Sequence, residues 1–165
     1  MRGWLVSVVG GLALSGMVGC TRPTTFGPTP TATPDALRQG QEAYAHGHFK
    51  ESVKALDQAI SANPGKPEPY LWRGRAYYAL NLPVIALKDF EQTLKIDPKN
   101  SQAFYSRGVV HSLMHNDKQA LADLTEAIRL DEKFPDSYKQ RAEVYQRMGD
   151  SAKARSDREM GSHPP

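Results

Sequence analysis

Three registers of small or turn-forming residues recur every 34 positions, and this period constrains the chain more than any other feature. Gly40, Gly74 and Gly108 form the first register, continued by Ala142; Ser52, Ala86, Ala120 and Ala154 form the second; Pro64 and Pro98, continued by Glu132, form the third. Large apolar residues keep the same interval: Tyr70, Phe104 and Tyr138; Leu56, Phe90 and Leu124; Ile60, Leu94 and Ile128. Such a period marks a repeated supersecondary unit. Apolar positions at three- and four-residue spacing give each helix one apolar stripe, and no unit can bury its stripe alone, so the units must stack. Small side chains at fixed places let two helices of a unit approach closely, while the large residues beside them fill the gaps.

The pattern predicts eight helices, at roughly 35–46, 49–62, 67–80, 83–96, 101–114, 117–130, 135–148 and 151–160. Pro67, Pro83 and Pro135 fall in first turns, where a missing amide proton costs little. Gly47, Asn81 and Gly149 fall at turns that favour a left-handed backbone; His115 takes that place in the third unit, so a strained or differently shaped turn is expected there.

The clearest unit, YLWRGRAYYALNLPVIALKDFEQTLKIDP from Tyr70 to Pro98, resembles the tetratricopeptide repeat, a helix-turn-helix unit of 34 residues. The resemblance covers about residues 34 to 161 and implies an all-α, right-handed α-solenoid of about four repeats. The fourth unit departs from the pattern. Arg158 stands where the others have Leu56, Phe90 and Leu124, and Ser162 where they have Ile60, Leu94 and Ile128. A polar last helix is what an array needs to stop stacking, so this unit is expected to be a cap.

In this family the first helices line a concave groove. Carried onto this chain, the resemblance implies a lining that includes Leu37, Gln41, Tyr44, Leu71, Arg75, Tyr78, Tyr105, Val109, Ser112 and Leu113, with Lys139, Glu143, Gln146 and Arg147 at a charged far end. Aromatic residues and arginine often anchor interfaces, which makes Tyr78 and Tyr105 the leading candidates for contact with a peptide or helix of a partner protein. The lysine-and-asparagine set of carboxylate-clamp relatives is not reproduced, so recognition of an acidic C-terminus is not expected from motif.

Arg73, Arg107 and Arg141 each precede Asp89, Asp123 and Asp157 by sixteen residues, whereas the first unit has Gln39 and Ala55 in those places, so both partners vanish together. The expectation is a repeated structural ion pair between the helices of a unit, exposed and contributing about 0.2–1 kcal/mol. His111 and His115 have a four-residue spacing, and His46 and His48 flank a turn, but neither pair brings a third ligand, so no metal site is expected. No P-loop, dinucleotide fingerprint, serine elbow or HExxH motif occurs; no enzyme and no cofactor are expected. Lys plus Arg total 21 against 18 Asp plus Glu in 165 residues, interleaved without runs, so a nucleic-acid partner is not expected either.

The sole cysteine, Cys20, excludes an internal disulfide. Arg2 precedes an uncharged apolar and small-residue stretch from Gly3 to Gly19, and the end of that stretch, Ser15-Gly16-Met17-Val18-Gly19-Cys20, resembles the bacterial lipoprotein box, with Met17 in place of the usual leucine. The resemblance implies a signal peptide at 1–19 and a lipidated Cys20, with Thr21 favouring the outer membrane, facing the periplasm. Residues 21–34 hold six threonines and four prolines in fourteen positions. They read as an extended tether reaching up to about 43 Å. The expected organisation is a signal peptide at 1–19, lipidated cysteine and tether at 20–34, repeat array at 35–161 and a disordered tail at 162–165. The expected role is a lipid-anchored adaptor that binds an envelope protein and helps assemble pilus, secretion or peptidoglycan machinery. A self-associating structural protein, paired as a homodimer or filament through exposed apolar faces, is the alternative.

Overall fold

The computed structural model describes residues 34–163, and every described regular element is a helix. The helices are α1 (Pro34–Ala45), α2 (Phe49–Ala62), α3 (Pro67–Ala79), α4 (Pro83–Ile96), α5 (Ser101–Leu113), α6 (Asp117–Leu130), α7 (Pro135–Arg147) and α8 (Ser151–Ser162). The signal peptide at 1–19, Cys20 and the tether up to residue 33 lie outside the described residues, as do residues 164 and 165. Among the described residues no helix is long and apolar enough to cross a membrane.

The stops are local. Prolines occupy the first turns of α3, α4 and α7, and the side chains of Asn100 and Asp150 accept from the amides of Ala103 and Lys153 at the starts of α5 and α8. All four turns within units use a left-handed residue: Gly47, Asn81, His115 and Gly149 at φ 76°, 60°, 58° and 85°. The third turn therefore has the shape of the others, and His115 carries the cost of a Cβ in that conformation.

Each helix packs on its sequence neighbours. In addition α1 touches α3, α3 touches α5 and α5 touches α7, whereas α2, α4, α6 and α8 make no contact with one another among the described residues. The array thus curves with its first helices inside. Close approach within a unit depends on glycine: a Cβ at Gly40, Gly74 or Gly108 would lie 2.5 Å from Leu56 Cγ, 2.6 Å from Phe90 Cε1 or 2.9 Å from Leu124 Cγ. Leu56, Phe90 and Leu124 are among the largest fully buried side chains, each contributing about 1.5–3 kcal/mol by leaving water. Ser52 adds a buried crosslink, its Oγ donating to Gly40 O at 2.7 Å. On α8, Arg158 and Ser162 are exposed, so the last helix turns a polar face outward and ends the stack.

Candidate functional site: the concave groove

The inner face is built from the sides of α1, α3 and α5 left over once their apolar stripes have packed on the second helices. A cavity of about 270 Å³ opens there, lined by Tyr44, Trp72, Arg75, Tyr78, Phe90, Tyr105, Ser106 and Val109. Its walls are held by aromatic contacts, one within the lining and two from outside it. Tyr44 packs edge-on to Trp72 at 5.5 Å between centroids and tilts against Phe49 at 5.4 Å; Tyr105 packs edge-on to Phe134 at 4.9 Å. Tyr78, more than a third exposed, forms the open rim.

Arg75 is the sole charged group of this lining. Its guanidinium lies over the Trp72 ring, 4.9 Å from the centroid, with Nε donating to Ser106 Oγ at 3.4 Å and Nη2 donating to Gln102 Oε1 at 3.1 Å. Burial lowers the Arg75 pKa, and burial likewise raises that of Tyr105. A second, more polar hollow of about 330 Å³ continues along the groove, lined by Tyr78, Val109, Ser112, Leu113, His115, Gln140, Glu143 and Arg147. There Arg147 is tied down: it pairs with Asp117 and its Nη2 donates to Ser112 Oγ at 3.0 Å.

The structure therefore brings Tyr44, Arg75, Tyr78, Tyr105 and Val109 together in one cavity. Gln41 is partly exposed on α1 but does not line it. Leu71 does not face the groove. At 4% exposure it belongs to the core with Ala86 and Phe90 of α4 and Ala103 and Val110 of α5, because both of these helices pack on α3 there. Ser112 lines the second hollow, 4% exposed, with its hydroxyl accepting from Arg147. Sequence reading missed Trp72, Ser106 and Gln140. The three share one register, in which Arg38 stands in the first unit, and the signal that could have found them is that this register changes residue type at every repeat while Gly40, Gly74 and Gly108 two places on do not.

The arginine–aspartate pairs lie elsewhere, lining neither hollow. Arg73, Arg107 and Arg141 donate through Nε and Nη2 to both carboxylate oxygens of Asp89, Asp123 and Asp157, at 2.6–2.8 Å. The expectation of exposed pairs is corrected: the three carboxylates are only 7–8% exposed and the arginines 16–23%. The reason is that Tyr70 and Tyr77, Phe104, and Tyr138 and Tyr145 sheathe the guanidinium groups, with ring centroids 5.6–5.9 Å away. Two of the arginines also reach back to the preceding unit, Arg73 Nη1 to Asp57 at 2.6 Å and Arg141 Nη1 to Thr125 Oγ1 at 3.1 Å. The ladder thus ties units to one another as well as the helices within them.

The four histidines of interest do not converge. His111 Nε2 lies 3.9 Å from Asp123 Oδ2 beside the ladder, His115 sits exposed in its turn, and His46 and His48 stand 6.3 Å apart at another exposed turn. Among the described residues no group of three or more His, Cys, Asp or Glu side chains could hold a metal ion.

Residues 37–101 match the family model described as Tetratricopeptide repeat. Among curated proteins no sequence match is found. Among solved structures the chain is similar to MamA, with a TM-score of 0.75 at 16% identity, covering 81% of this chain and 78% of that one. It is also similar to PilF of Pseudomonas aeruginosa, with a TM-score of 0.73 at 17% identity over 79% of this chain and 60% of PilF. A third is the first tetratricopeptide domain of Spaghetti (RPAP3), solved with the HSP90 peptide SRMEEVD bound, with a TM-score of 0.69 at 17% identity over 72% of this chain and 94% of that domain. At these identities the likeness is one of fold. The eight-helix body is thus a tetratricopeptide repeat array in fold, with the repeat signature itself matched over residues 37–101.

Proposed function

We propose that the protein is a lipid-anchored adaptor of the bacterial cell envelope, facing the periplasm, whose groove captures a peptide segment or helix of another envelope protein during assembly of pilus, secretion or peptidoglycan machinery. The observation that carries this reading is the aromatic cavity between α1, α3 and α5, with Tyr78 exposed on its rim. Aromatic side chains there bury large area on contact at small entropic cost. A peptide-bound neighbour of the same fold supports groove binding as the mode. Anchoring rests on Cys20 at the end of an apolar stretch, followed by the Thr/Pro tether. The reading assigns the chain no chemical reaction.

The test is a pull-down from detergent-solubilised envelope with wild type and with Tyr78→Ala plus Tyr105→Ala. Recovery of a partner that disappears with the folded double variant supports the groove; unchanged recovery rejects it. Anchoring is tested separately: Cys20→Ser should move the protein from the membrane fraction to the soluble one.

A second reading, self-association, is favoured by a different feature. Leu82, Val84, Ile85, Leu113, Met114 and Met148 are 37–57% exposed and gather at or beside the turns within units. Light scattering that gives a concentration-independent monomer removes it.

A further inference from the structure

We infer that the cavity is a receptor for an acidic side chain lying next to a bulky apolar one in the partner segment, with Arg75 holding the carboxylate; this rests on the groove reading above. A guanidinium has five N–H donors. Arg75 uses two, on Ser106 Oγ and Gln102 Oε1, both neutral acceptors. No carboxylate among the described residues lies within 4.0 Å of it, whereas Arg73, Arg107 and Arg141 on the same first helices each hold one by two bonds.

Arg75 lines the cavity, and its Nη1 takes no part in these two bonds. Among the described residues the buried polar side-chain atoms without a partner are His111 Nδ1 and Ser137 Oγ, so the unpartnered Arg75 Nη1 is open to solvent. The Trp72 ring and the two bonds hold the guanidinium in place, so Nη1 is presented already oriented for a charge-assisted bond to a carboxylate. The lining contains no acid to compete. Beside the guanidinium, about 270 Å³ between the tyrosines accommodates one large apolar side chain. Charge complementarity therefore selects an acidic residue, and the aromatic walls select its neighbour.

Random nonapeptides displayed on phage and selected on the full chain in detergent micelles test this. Wild type should enrich Asp or Glu adjacent to a bulky apolar residue. For a selected peptide, changing its acid to the matching amide should weaken binding to wild type by about tenfold to a hundredfold. The same change should have little effect on the Arg75→Gln variant. Selected peptides that lack an acid, or an amide form that binds wild type as well as the acid form, overturn the inference without using any variant. Peptides resembling the Thr/Pro tether around Phe26 would make the chain's own segment the occupant and overturn it too. Acid-containing peptides whose binding survives Tyr78→Ala plus Tyr105→Ala instead overturn the groove reading itself, as does a selection that returns nothing.

Discussion

Replacing Asp123 by asparagine separates two accounts of the arginine–aspartate ladder. An exposed pair would contribute about 0.2–1 kcal/mol. The Asp123 carboxylate is 8% exposed and accepts from Arg107 Nε at 2.8 Å and Nη2 at 2.7 Å. Asparagine keeps the shape but offers one neutral oxygen and one NH2 group to a guanidinium that has only donors, so one bond becomes a clash of donors. Removing one partner of a buried pair costs about 3–5 kcal/mol, and because Arg107 keeps 23% exposure the lower end is expected, about 3 kcal/mol. In a body of this size that corresponds to a fall in Tm of roughly 10 °C. Asp89→Asn should cost less, since Arg73 retains Asp57 at 2.6 Å. Arg107→Met combined with Asp123→Leu removes both charges and should recover most of the loss, because no unpaired charge remains buried. Urea unfolding followed by far-UV circular dichroism reads all three. A loss below about 1 kcal/mol for Asp123→Asn, or a double variant as unstable as the single one, would refute the reasoning that desolvation sets the strength of these pairs.

Gly74→Ala should destabilise by about 1 kcal/mol in chemical denaturation, because overpacking costs about 1–3 kcal/mol and outweighs the roughly 1 kcal/mol that alanine gains in a helix. The clash is specific: the new Cβ would lie 2.6 and 2.9 Å from Cε1 and Cδ1 of Phe90, whose ring is 1% exposed, and a stabilised variant would contradict it. His115→Gly should stabilise by about 0.5 kcal/mol, since relief of the left-handed cost slightly exceeds the entropy glycine loses on folding; thermal melts that fall instead would count against a strained turn. Burial holds the His111 pKa below its ordinary 6.5, opposed by Asp123 and reinforced by Arg107. The unfolded chain therefore binds more protons at this residue as pH falls below 6.5, so the stability it confers is present above that pH and is lost on acidification through the depressed value. Urea midpoints of His111→Gln should decline less than those of wild type over that window, and parallel curves would exclude the effect.

The period of 34 residues determined the number, length and pairing of the helices, because apolar stripes that cannot be buried alone leave stacking as the sole solution. Gly74 with Phe90 shows why this was legible: the requirement for a small residue opposite a large one is written at both positions in the chain. What the groove exposes was not legible to the same degree. Leu71 and Arg75 lie one helical turn apart and both read as lining, yet the packing of α4 and α5 on α3 takes the first into the core and leaves the second lining an open cavity with Trp72. The depth of the ion pairs was decided in the same way. Sequence spacing brought Arg107 and Asp123 together, and Phe104 lies one turn before Arg107 on the same helix, but the 8% exposure of the Asp123 carboxylate exists only once α6 has packed on α5. Periodicity fixes which residues share a helix face, whereas burial depends on the angle at which that face meets the next helix, and no single helix carries that angle in its own sequence.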